Sequence, residues 1–341
     1  MRLVIIFLAI AIIPIVLFSW ITSGAIRNTL TEIELENMNT RKEVLQQQII
    51  DRLNTQVEDL KMIAISENTN QAVIQFKDYF TELDDDYSVF DYKDKSYNRL
   101  HRNISPFFQR LTDNWNMEDV LLIDAANGQV LFSLNNLSQI GVRMESQRNE
   151  NPSLYKLWQF AIYSDLPTLI DFNLNDNDKA VSYIGVPIVN DKGFTEVIIA
   201  MEMGQRALDH IMDYDRDRES SDGIDFFLIG EDLKLRSKPL QGEGNTVLGT
   251  TIQTEASKMV SGNMTGSIQT TNHKGAKVLS SYIPLDNNKS DHFYCDFNWY
   301  LLLEMNQSTI NMAINGIMKV ILFSMIGISV IIILIGVFLA K

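Results

Sequence analysis

The chain has 341 residues, 45% hydrophobic and 21% charged, with a formal net charge of −14. That acidic balance excludes the basic footprint of a nucleic-acid binder and disfavours lying flat on an anionic membrane surface. Cys295 is the only cysteine, which excludes an intramolecular disulfide.

Leu3 to Ile21 contains no charged residue, and neither does Val320 to Ala340. Each run approaches the roughly 20 residues that a helix needs to cross a bilayer. The first exceeds the roughly 7–15-residue apolar core of a signal peptide and lacks a clear cleavage site, so an uncleaved anchor is expected. Arg2 and Lys341 put one basic residue on each short tail. Both tails inside and the long acidic middle outside is therefore the expected topology, with Lys319 snorkelling at the outer edge of the second span.

After the first span, Ile26, Leu30, Ile33, Leu45, Ile49, Leu53, Val57 and Leu60 recur at helical spacing. No proline or glycine interrupts Ala25 to Thr81, which predicts one long helix leaving the membrane. Its stripe fits either the core of its own domain or a seam with a second subunit. A polar break at Asp84–Asp86 precedes a helical stretch from Tyr97 to Trp115, expected to be interrupted at Pro106.

The texture then changes to short apolar runs with period two. Asp119–Asp124 reads as a strand, Asn127-Gly128 as a hairpin turn, and Gln129–Ser133 as the returning strand. A short helix is expected over Pro152–Tyr163, then strands over Thr168–Phe172, Ala180–Val189 and Thr195–Met203. The pattern then restarts: DVLLIDAANGQVLFS is echoed by DFFLIGEDLKLRS, with Asp225–Gly230 and Leu233–Ser237 as the second hairpin. A helical segment (Ile252–Val260) and strands near Ser267–Gln269, Lys277–Ile283 and Trp299–Glu304 follow. Two such cassettes suggest a duplicated α+β module.

The expected architecture is α+β: a long N-terminal helix and two tandem PAS-like antiparallel-sheet modules, flanked by two transmembrane helices. Its divisions are an anchor (1–24), a stalk helix and helical segment (25–115), a membrane-distal module (116–213), a membrane-proximal module (214–310) and a C-terminal transmembrane helix (317–340).

This order, with the LLIDAANGQVLFS hairpin, the Ile170-Asp-Phe and Tyr-Ile-Gly-Val-Pro-Ile188 strands, FFLIGEDLKLRS and Leu279–Leu285, resembles the double Cache sensor domains of bacterial transmembrane receptors. The resemblance covers about Arg27 to Asn306. It implies an extracytoplasmic sensor of the chemoreceptor, histidine-kinase or cyclase type. In double Cache receptors for amino acids, an Arg-x-Trp-Tyr element and a downstream Asp clamp the ligand. Here Lys156-Leu-Trp158 stands nearest, with Gln159 in the Tyr place and Asp171 as the downstream acid. The further acid expected late in the module falls on Met201. A Lys cannot form the two-pronged fork of Arg, so the resemblance implies a small ligand rather than an amino acid specifically.

The candidate ligand-binding residues are therefore Tyr155, Lys156, Trp158, Asp171 and Tyr183: rings as a wall, Lys156 and Asp171 as polar anchors. The same aromatics would equally serve as core. Asp171→Ala is expected to weaken binding and leave the fold intact.

The histidines at 101, 210, 273 and 292 are scattered and form no H-E-x-x-H pair. Asp213, Asp215 and Asp217 begin like a calcium loop, but Arg218 and Ile224 occupy positions where glycine and a bidentate acid are required. Asp171, Asn173 and Asn175 fail likewise at Asp176 and Ser182. No nucleophile elbow, Walker loop or dinucleotide motif is present. The expectation is a non-enzyme without cofactor or metal, in the bacterial inner membrane with its central region periplasmic. It binds a small molecule, forms a homodimer and does not bind nucleic acid. Within these residues there is no HAMP-like linker, kinase, cyclase or methyl-accepting helix, so output is expected beyond Lys341 or from a separate membrane partner. The alternative is a stand-alone anchored binding or adaptor protein.

Overall fold

The structure is a computed structural model that describes residues 2–83, 90, 94–164, 166–175, 177–212, 223–239, 244 and 246–339. The expected break at Asp84–Asp86 and the Asp213–Asp217 run lie outside the described residues.

Helix α1 (Arg2–Ala64) contains the first apolar run and the stalk in one piece. Leu45, Ile49, Leu53, Val57 and Leu60 are all buried, and Met38 and Lys42 extend the same stripe. Ile33 is 45% exposed, so the buried stripe begins later than its apolar pattern suggests. The predicted unbroken helix to Thr81 instead stops at Ala64. Ser66 takes an extended conformation and its hydroxyl accepts from the Thr69 amide, capping a separate helix α2 (Glu67–Glu82). A serine hydroxyl that satisfies an orphan N–H competes with helix continuation, and no proline is needed for the break.

Helix α3 (Lys95–Trp115) runs through Pro106 without interruption, against expectation. Its buried face, Tyr97, Phe108 and Thr112, packs on the first sheet, and this burial outweighs the roughly 3 kcal/mol cost of an internal proline. Tyr97 also donates its hydroxyl to the Leu131 carbonyl at 3.0 Å.

The distal sheet has five antiparallel strands in the order β2-β1-β5-β4-β3. They are β1 (Asp119–Asp124), β2 (Val130–Ser133), β3 (Thr168–Leu174), β4 (Ala180–Val189) and β5 (Thr195–Met203). Gly128 adopts φ 69° in the β1–β2 turn, and a side chain there would collide with Met144. Helices α4 (Met144–Glu150) and α5 (Pro152–Ala161) cover one face of this sheet. Helix α6 (Gln205–Met212) follows β5, and Arg52 of α1 donates to its last-turn carbonyls at His210 and Ile211.

The proximal sheet has the order β6-β9-β8-β7, with β6 (Ile224–Gly230), β7 (Gly266–Thr271), β8 (Lys277–Pro284) and β9 (Trp299–Asn306). Helix α7 (Glu255–Ser261) covers its outer face. Leu233–Ser237, expected as a strand, makes only isolated bridges, from Leu235 to Ile229 on β6 and from Lys234 to Thr251. Leu233 sits at φ 60° in the turn, so the chain leaves the ladder as soon as it returns. The Leu235–Ile229 bridge still occupies the edge position that β2 holds beside β1. The two sheets thus share one strand order, as the repeated cassette predicted.

A continuous core joins α1 to the inner faces of both sheets, with Ile184, Phe172, Trp299 and Leu301 among its members. β9 passes directly from Asn306 into helix α8 (Gln307–Leu339). Among the described residues, 307–331 is the stretch long and apolar enough to cross a membrane. Ile310 and Ile314 at its start pack into the α1 core, whereas Val320 and Phe323 further along are 66% and 71% exposed.

Candidate functional site

Two polar constellations surround the predicted residues, one inside the distal module and one where the modules meet. Tyr183 is fully buried on the α5-facing side of the distal sheet. Its hydroxyl accepts from Asn151 at 2.8 Å and donates to Glu202 at 2.6 Å. Asn151 is also the N-cap of α5, accepting from the Leu154 amide. Glu202 lies opposite Asp119 in the β1–β5 register and opposite Tyr183 in the β4–β5 register. Burial pushes the Glu202 carboxyl up to about 7, and the like charges of Asp119 and Glu118 add to this. Burial likewise raises Asp119, although the amides of Val120, Leu134 and Asn135 and the Ser133 hydroxyl all donate to it.

Side chains pack this face closely. Leu154, Leu157 and Ala161 of α5 are sealed against Ile170, Tyr183 and Ile198. Leu157 lies so close to Gly185 that a β-carbon there would approach it to 2.7 Å. Trp158 sits at the rim, donating its indole N–H to the Ala125 carbonyl at 3.2 Å. Tyr155 lies beside it, ring centroids 6.1 Å apart, and accepts from Gln159.

Lys156 and Asp171 do come together, in a different place. Both line a cleft of about 440 Å³ at the module junction, with Ser153, Asn173, Glu231, Asp232, Lys234 and Arg236. Tyr155, Trp158 and Tyr183 are not in its lining. The five predicted residues therefore divide: two anchors at the cleft, three rings in or beside the distal core. The reason is strand geometry. Successive residues of a strand point to opposite faces, and Tyr183 is paired with Ile170, the neighbour of Asp171. Asp171 turns towards the proximal module, while Tyr183, paired with Ile170, faces α5.

Asp171 is fixed there by groups that sequence spacing did not reveal. Arg236 grips it with both prongs, Nε to Oδ1 at 2.8 Å and Nη2 to Oδ2 at 2.7 Å. Trp299 adds its indole N–H to Oδ1 at 2.7 Å. The Arg236 side chain is 4% exposed, and its Nη1 also reaches Asp232 at 2.9 Å. Burial alone would lower the Arg236 pKa, but Asp171 and Asp232 more than offset it, so the net shift is upward. The guanidinium lies across Gly230, where a β-carbon would fall 2.2 Å from Nη2. Glycine at 230 is thus required by the close approach, not by turn geometry. Lys156 is held by Asp296 at 2.8 Å, on the segment that also pairs Tyr294 with β3 through the Leu169 amide and the Pro167 carbonyl.

The cleft therefore presents both signs of charge at a junction held by a two-pronged salt bridge. A polar or zwitterionic small molecule fits that chemistry. Among the described residues, no three His, Cys, Asp or Glu side chains converge to hold a metal ion.

No family model and no curated protein matches the sequence. Solved structures do match the fold. A domain of a sensory box/GGDEF family protein from Vibrio parahaemolyticus aligns with TM-score 0.52 and 9% identity over 83% of this chain and 99% of that one. The sensor domain of the V. cholerae histidine kinase DctB aligns with TM-score 0.50 and 10% identity over 81% and 98%. The ligand-binding domain of the Pseudomonas fluorescens chemoreceptor CtaA, solved with L-isoleucine, aligns at 0.49 and 14% over 84% and 98%. An extracellular ligand-binding receptor from Desulfohalobium retbaense is longer, and this chain spans 39% of it. The chain has the fold of the V. parahaemolyticus sensory box/GGDEF protein domain and of the DctB sensor domain.

Proposed function

We propose that this chain is the extracytoplasmic small-molecule sensing region of a bacterial two-pass membrane receptor, with its ligand site in the cleft at the module junction. The observation that carries the reading is the direct passage of β9 into apolar α8, with no intervening loop. Trp299, the first residue of β9, bonds Asp171 at the cleft. A ligand that alters the Asp171–Arg236 clamp therefore acts on the strand that ends in the membrane helix. It can shift the receptor only by favouring one arrangement over another. A homodimer, with the long α1 helices of two subunits side by side, would provide that pair of arrangements. The first apolar run, within α1, serves as the second span.

The test is a thermal-shift screen of small polar and zwitterionic solutes against the full chain in detergent, because a ligand selective for the native state raises its stability. A hit should lose at least tenfold in affinity in Lys156→Gln. Cysteine-pair crosslinking along Ile317–Phe323 should then change rate when the hit is added. Rates that stay flat with a ligand of proven binding would reject transmission through α8.

A further inference from the structure

The two modules carry the same buried acidic pair, and only in the first is the glutamate fully partnered. Asp225 begins the second cassette as Asp119 begins the first. Glu304 lies opposite Asp225 on β6 and opposite Ser280 on β8. This matches Glu202, which lies opposite Asp119 and Tyr183. Both glutamates are pushed up to about 7, in each case chiefly by burial and then by the neighbouring acid.

The difference lies on the third strand. In the distal module the Tyr183 hydroxyl donates to the glutamate and its ring fills the space. In the proximal module the corresponding residue is Ser280, and a cavity of about 150 Å³ stands in front of Glu304. Glu304 is 6% exposed and receives the Asn272 side chain, yet its Oε1 has no partner. Both ring nitrogens of His273, on the cavity wall, are also sealed from solvent without a partner. Buried polar atoms are almost always hydrogen-bonded, so orphan atoms on two side chains of one cavity wall point to a ligand that satisfies them.

We propose that this cavity is a second binding site, in the membrane-proximal module, for a short amino alcohol bearing a primary ammonium group. The ammonium takes the role of the Tyr183 hydroxyl, donating to Glu304 while its charge relieves the Glu304–Asp225 repulsion. Burial lowers the His273 pKa, so its ring is neutral, with one donor and one acceptor nitrogen. A hydroxyl, which can both donate and accept, matches that ring. Phe227 and Val278 supply an apolar wall for the short carbon link. The absence of a three-ligand metal cluster among the described residues favours an organic cation over a metal ion. The site does not depend on the junction cleft.

The test is isothermal titration of ethanolamine into the full chain in detergent micelles. Saturable binding is expected in the wild type, with at least a tenfold loss in Glu304→Gln, which keeps the shape and removes the charge. His273→Phe, which keeps a ring and removes both nitrogens, should also weaken binding at least tenfold. If His273→Phe does not fold, Glu304→Gln decides. No saturable binding to the wild type, or less than a tenfold loss in Glu304→Gln, overturns the proposal. Saturable magnesium or calcium binding in place of ethanolamine overturns it equally.

Discussion

Asp171→Ala should destabilise the whole outer region, contrary to the expectation that a pocket-facing acid is dispensable for folding. The carboxylate accepts both prongs of Arg236 and the Trp299 indole N–H. The Arg236 side chain is 4% exposed and that of Asp171 is 23%. Removing one partner of a buried ion pair costs about 3–5 kcal/mol. Asp232 remains to hold Arg236 at 2.9 Å, which places this case near the lower end. An unsatisfied indole N–H adds on the order of 1 kcal/mol, for a total of about 3–4 kcal/mol. At about 2–4 °C per kcal/mol for a domain of comparable size, the melting temperature should fall by roughly 6–16 °C. Thermal melts followed by tryptophan fluorescence will report it, since Trp299 itself loses a partner. The double variant Asp171→Leu/Arg236→Met should recover most of the loss, because a buried pair replaced as a unit is often neutral. An unchanged melting temperature in Asp171→Ala, or a double variant that shows simple additivity, would refute the clamp.

Three further outcomes follow from the same geometry. Gly230→Ala should resemble Asp171→Ala in a milder form, losing about 1–3 kcal/mol in urea denaturation, because its β-carbon would displace the Arg236 guanidinium. Glu202, whose folded pKa of about 7 lies above its ordinary 4.5, pays a penalty only when ionised. That penalty is absent below about pH 4.5, grows as pH rises and is complete above about 7. Glu202→Gln should therefore stabilise at pH 8 by on the order of 2–3 kcal/mol and change little at pH 4, with melting curves at both values as the measurement; equal shifts at both would contradict it. Tyr163→Cys, at a position 88% exposed, should react with a membrane-impermeant maleimide on intact cells. Cys295 is buried and its thiol is pushed up to about 12, so it supplies no background, and protection of the new cysteine would overturn the topology.

Much of the fold is set by local periodicity and is legible from the sequence. The apolar steps from Leu45 to Leu60 place one face of α1 in the core, and Asp119–Asp124, Ala180–Val189 and Thr195–Met203 are strands with the expected bounds. The repeated Asp-plus-four-apolar cassette predicted two modules, and both sheets have the same strand order. These features depend on side-chain alternation within a few residues, so they need no knowledge of distant partners. Helix ends were less legible. Ser66 caps and Pro106 is tolerated because a local hydroxyl and a buried face, not residue type alone, decide those positions.

What tertiary structure decided was which residues meet. Lys156 and Asp171 reach one cleft, whereas Tyr183 pairs with Ile170 and faces the other way, and which residue of β3 meets Tyr183 is set by the register between strands. The partners of Asp171 come from residues 65 and 128 positions away in the chain, Arg236 and Trp299. Met201, where an acid was sought, faces the α1 core, and strand alternation turns its neighbour Glu202 towards Tyr183. Recognising Asp119–Glu202 and Asp225–Glu304 as one motif used twice required the sheet register, because a cross-strand pair is defined by hydrogen bonding between strands distant in sequence. The chain's own order determined its elements and their repetition; pairing across the sheets determined which acids are buried and which of them keeps an unpartnered oxygen.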